Sequence, residues 1–142
     1  MTKPKRRTLR TVLILLFLAF VGIQFKTIDR TNPAVIETFK GSPELMAVLK
    51  RACWDCHSNE TRWPWYTWVA PISWFVADHV VEGREKLNFS DWDDSEAEDL
   101  KRDIWKSVRK GEMPLPSYLW IHRDGVLSDA DKKLIEDWSK SE

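Results

Sequence analysis

The two cysteines of this 142-residue chain lie only three positions apart, and a histidine directly follows the second. The motif reads Cys53-Trp54-Asp55-Cys56-His57. A disulfide within such a close pair would be strained and would close almost no loop. No disulfide can therefore join distant segments of the chain, and the fold has to be held by its apolar core. The two thiols and the imidazole are left for the chemistry of a site.

The spacing of these three residues is the pattern of c-type haem attachment. The thiols of Cys53 and Cys56 each add to one vinyl group of the macrocycle. The imidazole of His57 then lies close enough to bind the iron from one face. The sequence thus predicts one covalent haem c, with His57 as its proximal axial ligand.

Two other kinds of site share the Cys-x-x-Cys spacing. A zinc site needs four ligands, and the chain has no second cysteine pair. A thioredoxin-like dithiol needs a strand–helix–strand context, whereas the pattern around this motif is helical. A non-haem zinc or dithiol redox module is therefore the weaker interpretation.

The other face of the iron needs a distal ligand, for which Met113 is the preferred candidate. It lies just after a predicted helix stop at Gly111 and before a proline that stiffens the loop. A thioether stabilises ferrous iron and raises its reduction potential. His79 is the alternative distal ligand, although a histidine on an apolar helix stripe is more often a core residue. Weaker candidates are His122 and Met46.

The N-terminal 25 residues have the composition of a signal anchor. Five of the 22 basic residues, and none of the 22 acidic ones, lie there, and an apolar run extends from Val12 to Ile23. With Leu9 and Phe25 as its outer limits, the segment covers roughly 25 Å at about 1.5 Å per residue, just enough for a thin bilayer. The large residues around Gln24 offer no site for a signal peptidase. We therefore expect an uncleaved transmembrane helix over residues 1–25.

Basic residues before the apolar run predict a cytoplasmic N-terminus and an exported remainder. The expected location is the bacterial inner membrane, as a single-pass protein with its C-terminal domain in the periplasm. The exported part is net acidic, so it has no basic face for nucleic acid. The expected partners are the membrane, through the N-terminal helix, and unidentified redox proteins.

The exported part is predicted to be all-α, with a linker over residues 26–41 and a c-type haem-binding domain over residues 42–142. Its first helix begins after the N-cap Ser42 and leads into the motif. Its last helix follows Ser128, with Asp131 placed for a capping box. A short strand over residues 118–121 is the one exception considered.

Two further helices are predicted between these. The second begins at Pro71, and a third covers residues 95–109 and stops at Gly111. One face of the second helix is expected to carry Ile72, Phe75, Val76, His79, Val80 and Gly83. The stripe of the third is expected to be Ala97, Leu100, Ile104 and Val108.

Nine tryptophans are more than ordinary packing requires in a chain of this size. Such a number indicates either a core built around a flat apolar group or an adhesive surface. The tryptophans that could wall a haem are Trp63, Trp65, Trp68, Trp74 and Trp105.

With these parts identified, the sequence resembles the class I cytochromes c, in which a helix enters Cys-x-x-Cys-His and a Met-Pro loop brings the sixth ligand. It resembles more closely a bacterial family known as the haem-binding domain family, whose members are small and usually membrane-anchored. The matching stretches are CWDCHSNETRWPW (53–65), APISWFVADHVVEGREKLNFSDW (70–92), GEMPLPSY (111–118) and the following Leu127-Ser128. The resemblance implies a class I cytochrome c-like helical domain, covalent haem and ligation by His57.

Together these features predict a membrane-anchored monohaem c-type cytochrome that transfers single electrons in the periplasm. With His57 and Met113 both on the iron, small molecules have no open site. The sequence shows no separate acid–base constellation beside the motif, which favours an electron carrier over an enzyme. The alternative is a haem-based sensor or peroxidase-like enzyme with an open or labile sixth site, in which His79 is the distal acid–base group.

Overall fold

The structure, a computed structural model, describes residues 3–141, with side chains from Arg6 onward. Its α-helices are α1 (Lys3–Ile23), α2 (Pro43–Ala52), α3 (Ile72–Lys86), α4 (Ala97–Arg109), α5 (Pro116–Leu119) and α6 (Asp129–Ser139). Single 3₁₀ turns cover Trp65–Trp68 and Arg123–Gly125. No strand forms between residues 3 and 141, where one isolated bridge joins Glu37 and Asp91. The all-α prediction is confirmed.

The chain divides into two compact units. The first comprises the described residues up to Thr31 together with Trp63–Asp78. The second comprises Asn32–Arg62 and the described residues from His79 onward. Every residue predicted to attach or ligate haem belongs to the second unit.

In the first unit, α1 ends beside the segment that precedes α3. The side-chain amide of Gln24 donates a hydrogen bond to the carbonyl oxygen of Ala70 (3.2 Å) and accepts one from its N–H (2.9 Å). The sequence predicts a transmembrane helix within residues 1–25. In the part of the chain that the structure describes, no helix is both long enough and apolar enough to cross a membrane.

The core of the second unit forms where α2, α4 and α6 pack together. Aromatic rings fill its centre, with Phe39 4.6 Å from Trp92 and 5.3 Å from Trp138 between ring centroids. Around these rings lie buried apolar side chains from the helices and their flanks, namely Leu45, Val48, Leu49, Ala52, Val108, Leu127 and Ile135.

Part of the predicted linker packs into this core. The N–H groups of Ile36 and Phe39 donate to the carbonyl oxygens of Ser90 (2.9 Å) and Phe89 (2.8 Å). This short backbone pairing brings the Phe39 ring inside the second unit, where it is buried. The domain boundary after residue 41 remains a prediction.

Three helix ends have the capping residues that the sequence predicts. Ser42 caps α2, and Ser128 and Asp131 form a capping box at the start of α6. Gly111 follows α4 with a φ of 71°, a conformation that favours glycine. The N–H of Glu112 then donates to the carbonyl oxygen of Ser107 at 3.0 Å. This turn ends the helix and leads the chain to Met113.

The buried face of α3 differs from the predicted one. Ile72 and Phe75 are about half exposed, whereas Ser73, Ala77 and Val80 are buried. Apolar residues occur on more than one side of this helix, so the periodicity of the sequence does not identify the buried side. The expectation for Val80 is confirmed, and those for Ile72 and Phe75 are wrong.

The strand considered for residues 118–121 is also wrong, because these residues end α5 and form the turn after it. Pro116 occupies the first turn of the helix, where its missing N–H has no intrahelical partner to lose. The N–H of Leu119 donates to the carbonyl oxygen of Leu115 (3.1 Å), and that of His122 to Tyr118 (3.0 Å). Local helical bonds thus replace strand pairing.

Arg51, in the last turn of α2, connects that helix to the start of α6. Its guanidinium donates to the carbonyl oxygens of Asp124 (2.6 Å) and Val126 (3.2 Å) and pairs with Asp131 at 2.6 Å. Hydrogen bonds from Arg51 and then Ser128 lower the pKa of Asp131 to about 2. The C-terminal end of α2, directly before the motif, is therefore held in place.

This ion pair makes stability depend on acid pH. Because the pKa of Asp131 is lower in the folded chain than the roughly 3.9 of an unfolded aspartate, its contribution is complete above about pH 4 and is lost as pH falls towards 2. We predict that Asp131→Asn lowers the free energy of unfolding at pH 7 and flattens its decline between about pH 4 and 2. Urea unfolding at a series of pH values measures both effects.

The control is Asp129→Asn, which removes a carboxylate from the same helix terminus at a fully exposed position. It is expected to leave the pH dependence close to that of the parent. An equal flattening in both variants would show that general helix-end charge, and not the pair with Arg51, causes the pH dependence.

Candidate functional site

The Cys-x-x-Cys-His motif forms a tight turn at the end of α2. The N–H groups of Cys56 and His57 both donate to the carbonyl oxygen of Cys53, at 3.2 and 3.0 Å. Trp54 is buried, and its ring stacks on Phe89 with the centroids 5.2 Å apart and the planes 7° from parallel. The tryptophan between the two cysteines therefore fixes the motif to the core of the second unit.

The segment after the motif is bound to α3 by Arg84. Its guanidinium donates to the carbonyl oxygen of Ser58 (2.8 Å), the hydroxyl of Thr61 (2.8 Å) and the side-chain oxygen of Asn32 (2.9 Å). The carbonyl oxygen of His57 in turn accepts from the N–H of Phe89 at 2.7 Å. The motif is thus held both by α3 and by the chain that follows it.

Gly83 allows α3 to approach the motif closely. A Cβ atom at this position would lie 2.7 Å from the carbonyl oxygen of Cys56 and 3.4 Å from its Cβ. The first distance is shorter than a non-bonded contact between carbon and oxygen allows, so the two atoms would overlap. Only glycine therefore fits between this turn of the helix and the motif.

His57 has a hydrogen-bonding pattern suited to a metal ligand. Its Nδ1 lies 2.8 Å from the carbonyl oxygen of Gly83 and 3.2 Å from that of Leu87. Because a carbonyl oxygen only accepts, Nδ1 carries the proton, and the lone pair of the neutral ring is on Nε2. Burial lowers the pKa of His57, which favours this neutral form. Metal-bound histidines are oriented by the same kind of hydrogen bond.

Cys53 and Cys56 are free thiols in the described chain. Burial raises the pKa of Cys53 to about 12, and burial together with the charge of Asp55 raises that of Cys56 to about 11. Both groups are therefore protonated at neutral pH. A dithiol redox centre needs an accessible thiolate, so this environment disfavours that alternative.

The described residues contain no cluster of ligands for the zinc alternative. Between residues 3 and 141, no group of three or more His, Cys, Asp or Glu side chains is arranged to hold a metal ion. A structural zinc site uses four such ligands.

Two adjoining cavities lie beside the motif in the second unit. The smaller, of about 170 Å³, brings together all the predicted site residues: Cys53, Cys56, His57, His79 and Met113. The larger, of about 440 Å³, extends along α4 and shares Cys53, His57 and Met113 with it. Its apolar lining includes Leu87, Phe89, Leu100, Ile104 and Val108.

The structure separates the candidates for the distal position. Met113 borders both cavities, and His79 borders only the smaller one. His122 stacks on Tyr118 with ring centroids 4.2 Å apart, and Met46 packs against the core. Neither of these two residues lines either cavity.

No pattern in the sequence indicates the polar network in the wall of the smaller cavity. The carboxylate of Asp55 is buried, and it accepts hydrogen bonds from the Tyr118 hydroxyl and from Nε of Arg62, both at 3.2 Å. Burial, and then the charge of Asp55, raises the pKa of Tyr118, so its phenol is neutral at pH 7. Asp55 lies within the motif, but no spacing rule connects it to a tyrosine 63 positions later.

The tryptophans predicted to wall a haem are divided between the two units. Trp105 packs against the core of the second unit and lines neither cavity. The other four, Trp63, Trp65, Trp68 and Trp74, belong to the first unit.

The sequence model of the haem-binding domain family matches residues 18–141. This range includes every residue of the two cavities, the described part of the second unit, and the first unit from residue 18 onward. No curated protein and no solved structure is significantly similar to the chain.

The close approach of α3 to the motif yields a stability prediction. In Gly83→Ala the new methyl group would meet the Cys56 carbonyl oxygen at 2.7 Å, so helix and motif would have to separate. The hydrogen bond from His57 to Gly83 would lengthen as they do. We predict a loss of about 1–3 kcal/mol in the free energy of unfolding, measured with denaturant.

Gly22→Ala is the matched control, since an added Cβ at this helical glycine meets nothing within 4 Å. Helix propensity predicts that it leaves stability unchanged or raises it by up to about 1 kcal/mol. A Gly83→Ala protein as stable as the parent would contradict the tight contact between α3 and the motif.

Proposed function

The chain belongs to the haem-binding domain family and binds haem, and from this membership we propose that it is a monohaem c-type cytochrome that carries single electrons. In this proposal Cys53 and Cys56 hold the haem, and His57 binds the iron. The observation that carries it is the hydrogen bond from His57 Nδ1 to Gly83, which leaves a neutral Nε2 for a metal. Both thiols line the same cavity as this imidazole.

The proposed attachment needs no oxidant or reductant. Each thiol adds across one vinyl double bond, so that sulfur bonds one carbon and the thiol proton goes to the other. When bound, the haem supplies an iron that alternates between the ferric and ferrous states. The apolar side chains along the larger cavity would exclude water and lower the local dielectric, which contributes to the reduction potential.

Met113 is the proposed distal ligand. It borders both cavities, and the Gly111 turn at the end of α4 sets the start of its loop. The Met113 N–H donates to the carbonyl oxygen of Ser107 at 3.3 Å, which ties the loop back to the helix. His57 and Met113 would together hold the iron of a bound haem, and with both ligands in place that iron would supply electron transfer.

His79 supports a second candidate function. It lines the smaller cavity together with Met113 and with the hydrogen-bonded pair Asp55 and Tyr118. If Met113 did not hold the iron, His79 would be the acid–base group or ligand on that side. The protein would then be a haem-based sensor or a peroxidase-like enzyme.

The proposed location is the bacterial inner membrane, with the second unit in the periplasm. The apolar side chains of α1 support this attachment, because most of those between Leu9 and Val21 are exposed to solvent in the described chain. Basic residues before them are typical of the cytoplasmic side. Electrons would pass to and from unidentified redox proteins.

Absorption spectra of the oxidised and reduced protein, produced with the c-type haem maturation machinery, test the proposed iron ligands. The parent is expected to give a low-spin c-type spectrum with a thioether–iron charge-transfer band. Met113→Ala is expected to abolish that band because the thioether is removed. Met46→Ala is the matched control and is expected to retain it, since Met46 packs against the core.

The other outcomes discriminate between the alternatives. A low-spin spectrum that Met113→Ala leaves unchanged and His79→Ala alters would assign the distal position to His79. A high-spin spectrum of the parent would show an open site and support the sensor or enzyme. A colourless protein after maturation would contradict the cytochrome proposal.

A further inference from the structure

The first unit carries an exposed aromatic surface, which we define as Trp65, Trp68, Ile72 and Phe75. Trp65 is 79% exposed and Trp68 is 64% exposed, and Ile72 and Phe75 are about half exposed. The two tryptophans lie in the 3₁₀ turn and the other two residues in the first turn of α3. Exposed apolar side chains grouped in this way mark an interaction surface.

Hydrogen bonds hold the aromatic surface to the end of α1. Gln24 exchanges two hydrogen bonds with the backbone of Ala70, between the 3₁₀ turn and α3. Arg30 donates to the carbonyl oxygen of Thr67 from Nε (2.9 Å) and Nη2 (2.7 Å). The surface therefore lies where the apolar run of α1 ends.

Cations lie over two tryptophan rings of the first unit, of which Trp68 belongs to the aromatic surface. The Arg30 guanidinium lies 4.3 Å from the centroid of Trp68, and the Lys26 ammonium lies 4.9 Å from that of Trp74. Both cations line a cleft of about 220 Å³, together with the hydroxyl-bearing residues Thr27 and Ser73. Cations beside hydroxyl groups suit a phosphate.

We propose that the aromatic surface lies in the headgroup region of a phospholipid membrane, with Lys26 and Arg30 against the lipid phosphates. The inference rests on the membrane attachment proposed for α1. Tryptophan is favoured at this depth because its ring is apolar and its N–H is polar, and long cationic side chains reach the headgroups from there. The surface gives the chain a second attachment beside α1, and two attachments hold a protein to a membrane more durably than one.

Flotation and fluorescence of the full-length holoprotein in vesicles of phosphatidylcholine and phosphatidylglycerol test this inference. Flotation at alkaline pH reports attachment, and quenching by brominated lipids reports which tryptophans lie in the bilayer. Lipids brominated near the headgroup end of the chains are expected to quench more than those brominated near the chain terminus. In Trp65→Phe/Trp68→Phe the quenched emission is expected to fall about twofold.

Trp120→Phe is the matched control, because Trp120 is 76% exposed but lies in the second unit. It is expected to leave the quenched emission unchanged. If the protein floats and the double variant is quenched like the parent, the aromatic surface is not in the bilayer, and attachment through α1 still stands. If the protein does not float, both the inference and the proposed attachment are overturned. Cross-linking of two copies through an unquenched aromatic surface would assign it to self-association instead.

Discussion

The close contact between α3 and the Cys-x-x-Cys-His motif is the constraint on which the haem site depends. Gly83 permits the contact because no side chain separates its helix turn from the Cys56 carbonyl oxygen. The same residue accepts the Nδ1 proton of His57 through its own carbonyl oxygen. One glycine thus determines both how near the helix comes and which ring nitrogen is left for iron.

The rest of the second unit holds this contact in place. Trp54 anchors the motif by stacking on Phe89 in the aromatic core. Arg51 ties the end of α2 to the start of α6, and Arg84 ties α3 to the segment after the motif. The site therefore lies where three helices are joined by side chains that line neither cavity, namely Arg51, Trp54 and Arg84.

Features that depend on neighbouring residues could be predicted from the sequence, and features that depend on distant residues could not. The caps at Ser42 and Ser128 and the stop at Gly111 are local, and the structure has them as expected. The exposed side of α3 and the burial of Phe39 depend on which elements pack together, which a single helical period does not encode. The fold places the predicted site residues beside one cavity, and it also forms the Asp55–Tyr118 pair, which no local pattern of the sequence indicates.

Intact mass measurement of the matured, acid-denatured protein tests the central claim most directly. The account predicts that the chain retains the mass of one haem after denaturation, because two thioether bonds hold it. Cys53→Ala and Cys56→Ala are each expected to retain at most one bond, and the double variant should release haem completely. A parent chain that loses its haem on denaturation would contradict covalent attachment, and with it the c-type cytochrome.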